Sequence, residues 1–360
     1  MRTTPVDDRS TWTGNDLAGD LSWRFALTDE QRRDLTNALA VASARGLGLD
    51  ELSADAFPLP SLQRDLASIG DQLRNGRGFA FVTGFPVEGF SLAQIELMYF
   101  GLCLHLGTGI TQNSDASLIH YVTDGALKPN QGKRGVGVPA ASPLHVDLAD
   151  VASLLCIRQA PDEPPSWIGS STHLFNQVLA NRPDALARLA EGFAWDRMGE
   201  EHPGEAPASE HLVPVFSEAD GQVSCRYNRY WMALAAKRTG GFSGADRDLL
   251  DALDEWAHEA RFEFDFGLGD IQFVNNYTVL HGRAAHAPVP EEERKRVLMR
   301  IWIDLDGIRS FSDESIVRYG IIRHGALGWT ADERRRGLTA QARPRRADGA
   351  PVLTLEGASR

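Results

Sequence analysis

Apolar side chains in the first third of the chain recur at the three- and four-residue spacing of amphipathic helices. Residues 28–44 open with Thr28 and carry Gln31 three positions later, the pattern of a capping box, so a helix is predicted to begin there. Residues 61–75 and 91–106 are also predicted to be helices. The apolar face expected for the helix at 61–75 consists of Leu62, Leu66, Ile69 and Leu73.

Short apolar runs separated by glycine, proline and aspartate dominate the rest of the chain, and such runs are typical of strands. The predicted strands lie within 76–86 and 144–158, on either side of a hairpin turn at 220–221, and at 261–268, 271–280 and 296–305. Two more helices are predicted at 174–192 and 246–260. Because helices come mostly first and strands dominate the second half, we predict an α+β fold with a β-sandwich or barrel core and flanking helices.

The polarity of the sequence divides the chain into an arm, one domain and a tail. Residues 1–27 are polar and rich in turn-forming residues, which predicts an N-terminal arm lying over the surface. A single domain is expected from 28 to 333, and within it residues 107–143 carry few large apolar side chains, which predicts a lid over a functional site. The arginine-rich tail at 334–360 is expected to be flexible.

Composition and charge narrow the class of protein. Of the 360 residues, 42% are hydrophobic and 24% charged, as in ordinary globular proteins. A formal net charge of −12 repels the phosphate backbone, so no nucleic-acid partner is expected. The longest apolar run, at 151–157, is too short to span a bilayer, and the first 25 residues lack the apolar core of a signal peptide. Three distant cysteines without a CxxC pair fit a reducing compartment, so a cytoplasmic protein with no membrane partner is predicted.

Two side chains with metal-binding chemistry, His145 and Asp147, are separated by one residue inside the predicted strand at 144–158. On a strand they point to the same side, which suits two ligands of one metal ion. A surface histidine near a helix cap gives the same short pattern. The pair alone leaves both interpretations open.

A second imidazole, that of His281, follows the predicted strand at 271–280. Two histidines and one carboxylate form the facial triad of non-haem Fe(II) oxygenases, which leaves positions open for a co-substrate and O₂. A buried histidine satisfied by the main chain is the alternative interpretation.

Two arginines, Arg296 and Arg300, share one face of the predicted strand at 296–305. Period-two alternation separates them from an apolar face on the other side of the strand. That apolar face consists of Val297, Met299, Ile301 and Ile303. Because an unpaired buried charge is costly, the arginines need a counter-anion. It is either a carboxylate of the same sheet in a structural salt bridge, or a carboxylate ligand held by the planar guanidinium fork.

In combination, these motifs resemble the TauD/TfdA-like, clavaminate-synthase-like branch of the Fe(II)/2-oxoglutarate-dependent oxygenases. The matching segments are PLHVDLADVASLLCIR at 143–158, SS at 170–171, WDR at 195–197, GDIQFVNN at 269–276, LHGR at 280–283 and RVLMR at 296–300. The resemblance runs from about residue 10 to 305 and includes WTGNDL at 12–17 and QN at 112–113. Each motif is weak alone, and the combination is highly specific.

The resemblance implies a double-stranded β-helix (jelly-roll) core with the site in its mouth. His145, Asp147 and His281 would bind Fe(II), and no catalytic residue beyond these ligands would be required. With 2-oxoglutarate as co-substrate and O₂ as oxidant, an unactivated C–H bond would be hydroxylated or desaturated and succinate and CO₂ released. Family members that halogenate have a small residue at the position of Asp147, so its presence here favours oxygen insertion or desaturation.

The resemblance also implies roles for four polar side chains. Arg296 and Ser166 would hold the distal carboxylate of 2-oxoglutarate, whereas Arg300 and Gln112 would hold a carboxylate of the substrate. The loop before Ser166 reads DEPPS where the family usually has a Gly-Gly turn, and residues 135–142 lack the bulky and polar residues often found there. The expected substrate is therefore only a class: a small amino acid, an amino-acid derivative or a secondary-metabolite intermediate.

Two other functions would use the same residues. A non-catalytic jelly-roll binding or scaffold protein would carry the metal site incidentally. A zinc hydrolase on a cupin-like barrel would use the same three ligands but would leave Arg296 without a purpose. Anaerobic addition of Fe(II) and 2-oxoglutarate separates the oxygenase from the scaffold, because only the oxygenase should give a visible charge-transfer band. The activity of a zinc hydrolase would not depend on 2-oxoglutarate. The sequence does not indicate an oligomeric state.

Overall fold

A computed structural model describes residues 1–125, 137–201, 204–311 and 327–337 of the chain. Its α-helices are α1 (Asp29–Ala44), α2 (Gln63–Asn75), α3 (Leu92–Cys103), α4 (Ser171–Asn181), α5 (Leu186–Glu191), α6 (Arg229–Lys237), α7 (Gly244–Glu259) and α8 (Ala331–Arg335). The helices predicted at 28–44, 61–75, 91–106, 174–192 and 246–260 are confirmed, with a break at 182–185 inside the fourth. Among the described residues, no helix combines the length and apolarity needed to cross a bilayer.

Local sequence accounts for the first helices. Thr28 Oγ1 accepts a hydrogen bond from the Gln31 amide at 3.2 Å, and Gln31 Oε1 accepts one from the Thr28 amide at 2.9 Å. This reciprocal capping satisfies donors that the first turn of α1 leaves free. In α2 the predicted apolar face is buried in the core against the larger sheet.

Strands supply the centre of the fold. They are β1 (Arg24–Ala26), β2 (Phe79–Thr83), β3 (Thr108–Ile110), β4 (Ile119–Val122), β5 (Ser142–His145), β6 (Val151–Arg158), β7 (Ser166–Ser170), β8 (Phe216–Ala219), β9 (Gln222–Cys225), β10 (Phe262–Phe264), β11 (Ile271–Asn275), β12 (Val279–Arg283) and β13 (Val297–Asp304). The larger sheet has the order β1-β2-β11-β6-β13-β3, with β4 also paired to β13. The smaller sheet has the order β10-β7-β12-β5, and β8 and β9 form the predicted hairpin.

The two sheets pack face to face around an inner hydrophobic core, and α1, α2 and α3 cover the outside of the larger sheet. Strand β13 shows both sides of this arrangement. Its Leu298 and Trp302 belong to the inner core, whereas its Val297, Met299, Ile301 and Ile303 belong to the outer one. The predicted alternation is confirmed, and so is the fold class, α+β with a double-stranded β-helix core and flanking helices.

The predicted strand at 144–158 is wrong as a single element, because it consists of two strands in different sheets. Strand β5 ends at His145, and the chain then crosses to the larger sheet before β6 begins. In the crossing, the Val146 amide donates to the Tyr227 carbonyl at 2.9 Å instead of to a neighbouring strand. The side chains of His145 and Asp147 therefore meet through this crossing and not through the alternation of one strand.

The predicted strand at 271–280 is corrected in the same way. It divides into β11 in the larger sheet and β12 in the smaller sheet, with a short turn between them. At the turn, Asn275 Nδ2 donates to the Leu73 carbonyl at 2.9 Å, and Asn275 Oδ1 accepts from the Tyr277 amide at 2.8 Å. Side-chain hydrogen bonds thus replace those of a ladder where the chain changes sheets. As a result, His281 lies inside β12.

The predicted surface arm at 1–27 is wrong in one respect, because its large apolar side chains are buried in the inner core. These side chains are Val6, Trp12, Leu17 and Trp23. The Trp12 indole N–H also donates to the Arg77 carbonyl at 2.9 Å. Strand β1 pairs in parallel with β2, so the arm covers a sheet edge that would otherwise be open.

Two strands of the larger sheet come from the segment predicted as a lid, residues 107–143. Both β3 and β4 pair with β13, so these parts of the segment belong to the sheet. Residues 126–136 lie outside the described residues, and a lid function for the remainder stays a prediction. The predicted tail at 334–360 also lies outside the described residues from residue 338 onward.

Candidate metal centre

The side chains of His145 and His281 lie opposite each other on neighbouring strands. Their Cα atoms are partners in the pairing of β5 with β12, and the ring centroids are 4.5 Å apart. Asp147 follows two residues after the end of β5, and its Oδ2 lies 3.8 Å from His281 Nε2. One possible ligand atom from each of the three side chains lies within 4.8 Å of the others. The fold therefore brings together the three residues that the resemblance assigns to one metal ion.

This donor set fits a ferrous ion. His145 Nδ1 lies 2.7 Å from the Pro143 carbonyl oxygen and donates its proton there, so Nε2 is the ring nitrogen that remains for a metal ion. Burial, and then the neighbouring His145, lower the pKa of His281 to about 3, so the ring is neutral at pH 7. The 3.8 Å between His281 Nε2 and Asp147 Oδ2 is too long for a hydrogen bond. Two imidazoles and one carboxylate are the ligands that hold Fe(II) with positions left open.

The loop that carries Asp147 is held from behind by two side chains. The Asp147 amide donates to Asn276 Oδ1 at 3.0 Å, and Asn276 Nδ2 donates to the Ala149 carbonyl at 3.1 Å. Arg226 Nη1 donates to the Asp147 carbonyl at 2.9 Å, and its guanidinium lies over the Tyr277 ring, 4.0 Å from the centroid. These contacts fix the main chain on both sides of Asp147 and so determine where its carboxylate points.

Two donors from β13 reach the Asp147 carboxylate itself. Arg300 Nη1 lies 3.2 Å from both carboxylate oxygens, and Trp302 Nε1 lies 3.1 Å from Oδ2. All three side chains are buried. The counter-anion of Arg300 is thus a carboxylate of the protein, one of the two alternatives predicted from the sequence. This carboxylate lies in the crossing between β5 and β6 and not on a strand of the sheet.

Arg296 differs from Arg300, because no carboxylate among the described residues pairs with it. Its side chain is buried, with 5% of its surface exposed, and Nε donates to Gln159 Oε1 at 2.8 Å. The two terminal nitrogens form no hydrogen bond or ion pair with any described residue. Burial, and then the charge of Arg283, lower the pKa of Arg296 to about 10, so it remains charged at pH 7. A buried fork with free donors is suited to a carboxylate ligand.

Comparison with known proteins identifies the family. The family model described as "Taurine catabolism dioxygenase TauD, TfdA family" matches residues 32–302. The chain belongs to this family. The dioxygenase is 29% identical to FR-33289 synthase of Streptomyces rubellomurinus over 315 residues, which cover 85% of this chain and 92% of that protein. It is 24% identical to the taurine hydroxylase-like protein SAT17 of Stachybotrys chartarum over 310 residues, which cover 82% and 79%.

Solved structures share the fold of the dioxygenase. An asparagine oxygenase in complex with Fe(II), 2S,3S-3-hydroxyasparagine and succinate has a TM-score of 0.59 at 17% identity, covering 78% of this chain and 93% of that one. The non-heme iron oxygenase OrfP in complex with Fe and alpha-ketoglutaric acid has a TM-score of 0.59 at 18% identity, covering 79% and 94%. At these identities the likeness establishes the fold alone.

Membership of the family confirms the predicted enzyme class, a non-haem iron, 2-oxoglutarate-dependent dioxygenase. The alternatives of a scaffold protein and of a zinc hydrolase lose their support. The scaffold has no need for a buried arginine such as Arg296, whose terminal nitrogens have no partner among the described residues. The hydrolase leaves that arginine without a purpose.

Ser166 lies on the same face of the smaller sheet as His281. In the register of β7 and β12, Ser166 pairs with Arg283, and Ile168 pairs with His281. Because alternate residues of a strand share a face, the Ser166 side chain lies on the inner side, next to that of Arg283. It is buried. Its predicted contact with 2-oxoglutarate stays a prediction.

Gln112 lies behind Arg300 and holds it in place. Gln112 Oε1 accepts from Arg300 Nε at 2.8 Å, while its Nε2 donates to the carbonyls of Arg300 at 2.9 Å and Leu118 at 3.0 Å. The amide therefore orients the guanidinium. Direct contact of Gln112 with a substrate stays a prediction.

Three residues that shape the centre were not among the predicted site residues. Trp302 shares a strand face with both predicted arginines, and this was a usable signal. Asn276 follows β11 directly, where a polar residue in an apolar run indicates a turn. Arg226 stands 79 positions from Asp147, and no local pattern connects them.

Proposed function

We propose that this dioxygenase hydroxylates an unactivated C–H bond of a small, amino-acid-like anion. In this proposal His145, Asp147 and His281 bind Fe(II). The convergence of their ligand atoms within 4.8 Å, with Asp147 and His281 buried, is the observation that supports it most strongly. Bound iron with 2-oxoglutarate and O₂ supplies an oxidant that no amino-acid side chain provides, with release of succinate and CO₂.

The protein's own contribution is to orient the carboxylate of Asp147 and to hold the co-substrate. Arg300 neutralises the Asp147 carboxylate, and Arg300 and Trp302 together orient it, so its lone pairs are presented in one direction. Arg296 offers two free terminal nitrogens to the distal carboxylate of 2-oxoglutarate, and Ser166 offers a hydroxyl on the facing sheet. No side chain needs to transfer a proton to or from the substrate.

The substrate is proposed to carry a carboxylate or a comparable anion that reaches Arg300. Arg300 Nη2 is buried and has no hydrogen-bond partner among the described residues, although Nε and Nη1 are both engaged. A buried donor of this kind is costly unless a ligand satisfies it. Structures of similar fold contain 2S,3S-3-hydroxyasparagine in the asparagine oxygenase and (3S)-hydroxy-L-Arg in OrfP. These complexes support an amino-acid-like substrate and favour hydroxylation over desaturation.

An anaerobic titration tests the metal assignment. Fe(II) and 2-oxoglutarate should together give a visible charge-transfer band in the wild type that is lost in His281→Ala and retained in His258→Ala. His258 is an exposed histidine on α7 and serves as the matched control. A band that survives His281→Ala would place the iron elsewhere. A succinate-release screen over amino acids and their derivatives then identifies the substrate.

We further infer a cytoplasmic enzyme whose partner is a small molecule. Support comes from three free, buried cysteines and from the acidic net charge of −12. Cell fractionation tests the location.

A further inference from the structure

Gln272 carries a buried amide without a hydrogen-bond partner in the described part of the chain. It lies on β11, and 4% of its surface is exposed. Neither atom of the amide forms a hydrogen bond with a described residue; Nε2 is enclosed, whereas Oε1 keeps some exposed surface. Turning the amide over would leave the same two atoms unsatisfied. Because a buried polar group without a partner is costly, this amide indicates a ligand that completes its hydrogen bonds.

Alternation along β11 shows which way the amide points. Ile271 and Phe273 belong to the outer core, whereas Val274 belongs to the inner one. Because alternate residues of a strand share a face, Gln272 lies on the inner side with Val274. The amide is therefore on the face of the larger sheet from which Arg300 reaches the metal centre.

Gln272 and Arg300 lie in one row across this inner face. Gln272 is the Cα partner of Leu154 on β6, and Leu154 is in turn the Cα partner of Arg300 on β13. Neighbouring strands lie about 4.8 Å apart, so about 10 Å separates the Cα atoms of Gln272 and Arg300. Arg300 Nη2 is also enclosed and has no partner among the described residues. Two side chains with unsatisfied donors thus stand on either side of one leucine.

The inner face is open at Leu154. This residue lies in the middle of a central strand, yet its side chain is only partly buried. Ala152 and Cys156, on the same face of β6, are fully covered. A space large enough to admit water therefore lies over Leu154, between Gln272 and Arg300. Because Arg300 Nη1 bonds Asp147, this space lies beside the metal centre.

The position of Gln272 favours the substrate over the co-substrate as its ligand. Arg296, which is proposed to hold 2-oxoglutarate, lies four residues before Arg300, about 13 Å away along the strand. Gln272 is level with Arg300 and not with Arg296. A neutral amide also pairs with a neutral group without burying a further charge.

We propose that Gln272 is a specificity-determining residue that pairs with a neutral amide group of the substrate, across Leu154 from the anion at Arg300. The inference deepens the proposed function and rests on it. The substrate class that it names is a small carboxylate carrying a carboxamide or acylated amine at its other end. A compound without the amide leaves Gln272 unsatisfied, and a site built to form such hydrogen bonds rejects it.

One substitution at two positions separates a ligand-binding amide from a structural one. Gln272→Met removes the amide and keeps an unbranched side chain of similar length. Gln31→Met is the matched control, because Gln31 is also buried, at 6% exposure, but is fully bonded. Its Oε1 accepts from the Thr28 amide at 2.9 Å, and its Nε2 donates to Asp65 Oδ2 at 2.7 Å.

Urea unfolding of the metal-free proteins gives the first readout. Gln31→Met should lower the unfolding midpoint, because its hydrogen bonds are lost. Gln272→Met should leave the midpoint unchanged or raise it, because no bond is lost and an unsatisfied amide is removed. A midpoint that falls as far in Gln272→Met as in Gln31→Met would show a structural amide and overturn the proposal.

Succinate release from matched compounds gives the second readout. Each pair joins an amide with a hydrocarbon of the same shape: L-asparagine with L-leucine, L-glutamine with L-homoleucine, and N-acetyl-β-alanine with 5-methylhexanoate. For at least one pair, the wild type should show a kcat/KM about tenfold higher with the amide. Gln272→Met should reduce this ratio to within about twofold, and Gln31→Met should keep it. A wild type that prefers the hydrocarbons or releases no succinate with any of the amides, or a ratio that Gln272→Met leaves unchanged, would overturn the proposal.

Anaerobic titration of the ferrous proteins gives the third readout, the 2-oxoglutarate dissociation constant from the charge-transfer band. Gln272→Met should change this constant less than about twofold. A larger change would place the amide at the co-substrate and so overturn its assignment to the substrate. If Gln272→Met proves unfolded, Gln272→Leu decides by the same three measurements. Absence of the band in the wild type would instead refute the proposed function itself.

Discussion

Replacing Trp302 with phenylalanine removes one hydrogen-bond donor from the carboxylate proposed to bind iron. The indole Nε1 lies 3.1 Å from Asp147 Oδ2, and the side chain is fully buried. A hydrogen bond to a charged group contributes about 1.5–3 kcal/mol, and loss of a partner behind a metal ligand typically weakens metal binding about 10–100-fold. We therefore expect Trp302→Phe to weaken Fe(II) binding by at least about tenfold.

Trp195 provides a matched control for this experiment. It is also fully buried, and its Nε1 has no hydrogen-bond partner among the described residues. Trp195→Phe removes the same atoms from the core without removing a donor from a carboxylate, so it measures the packing loss alone. Fe(II) affinity is measured anaerobically by competition with a chelator, and stability by urea unfolding of the metal-free proteins. Equal Fe(II) affinities in the two variants would refute the reasoning.

Three further predictions concern other parts of the site and the core. Arg300→Ala should raise the substrate KM about tenfold or more and should change the 2-oxoglutarate affinity less. Arg296→Ala should weaken 2-oxoglutarate binding more than substrate binding. Equal losses in steady-state kinetics would contradict these roles. Asn276→Ala should lower the free energy of unfolding by about 2–3 kcal/mol, because the Asp147 amide and the Ala149 carbonyl lose their partner. A smaller loss in urea unfolding would show that water replaces the Asn276 side chain. Burial raises the pKa of Asp254 above its usual 3.8. The native state therefore binds more protons than the unfolded state at pH values just above 3.8, and the free energy of unfolding falls as pH rises through the native pKa. Asp254→Asn should flatten this fall, and an unchanged slope of unfolding free energy between about pH 4 and 7 would count against it.

The parts of the fold that could be predicted from the sequence depend on residues that lie close together in the chain. The capping box at Thr28 and Gln31 involves residues three apart, and the alternation of β13 involves residues two apart, so both are visible in the sequence. The hairpin turn at 220–221 is similarly local, since both residues adopt positive φ values that Asp and Gly tolerate. The three proposed metal ligands were predicted through motif resemblance, because a single His-x-Asp pattern is too common to identify a site.

What could not be predicted depends on contacts between distant residues. The apolar runs at 144–158 and 271–280 look continuous, yet each changes sheets at a point set by side chains elsewhere in the chain. Arg226 and Asn276 reach the ligand loop across 79 and 127 positions. The pairing of Arg300 with Asp147 spans 153 positions, and a strand pattern cannot show which arginine finds a protein carboxylate and which stays free for a ligand.

Anomalous diffraction at the iron edge, from crystals prepared anaerobically with Fe(II) and 2-oxoglutarate, locates the bound iron. We expect one iron peak bonded to His145, Asp147 and His281, with the distal carboxylate of 2-oxoglutarate against the terminal nitrogens of Arg296. An iron peak at any other position, or a co-substrate carboxylate turned away from Arg296, would contradict it.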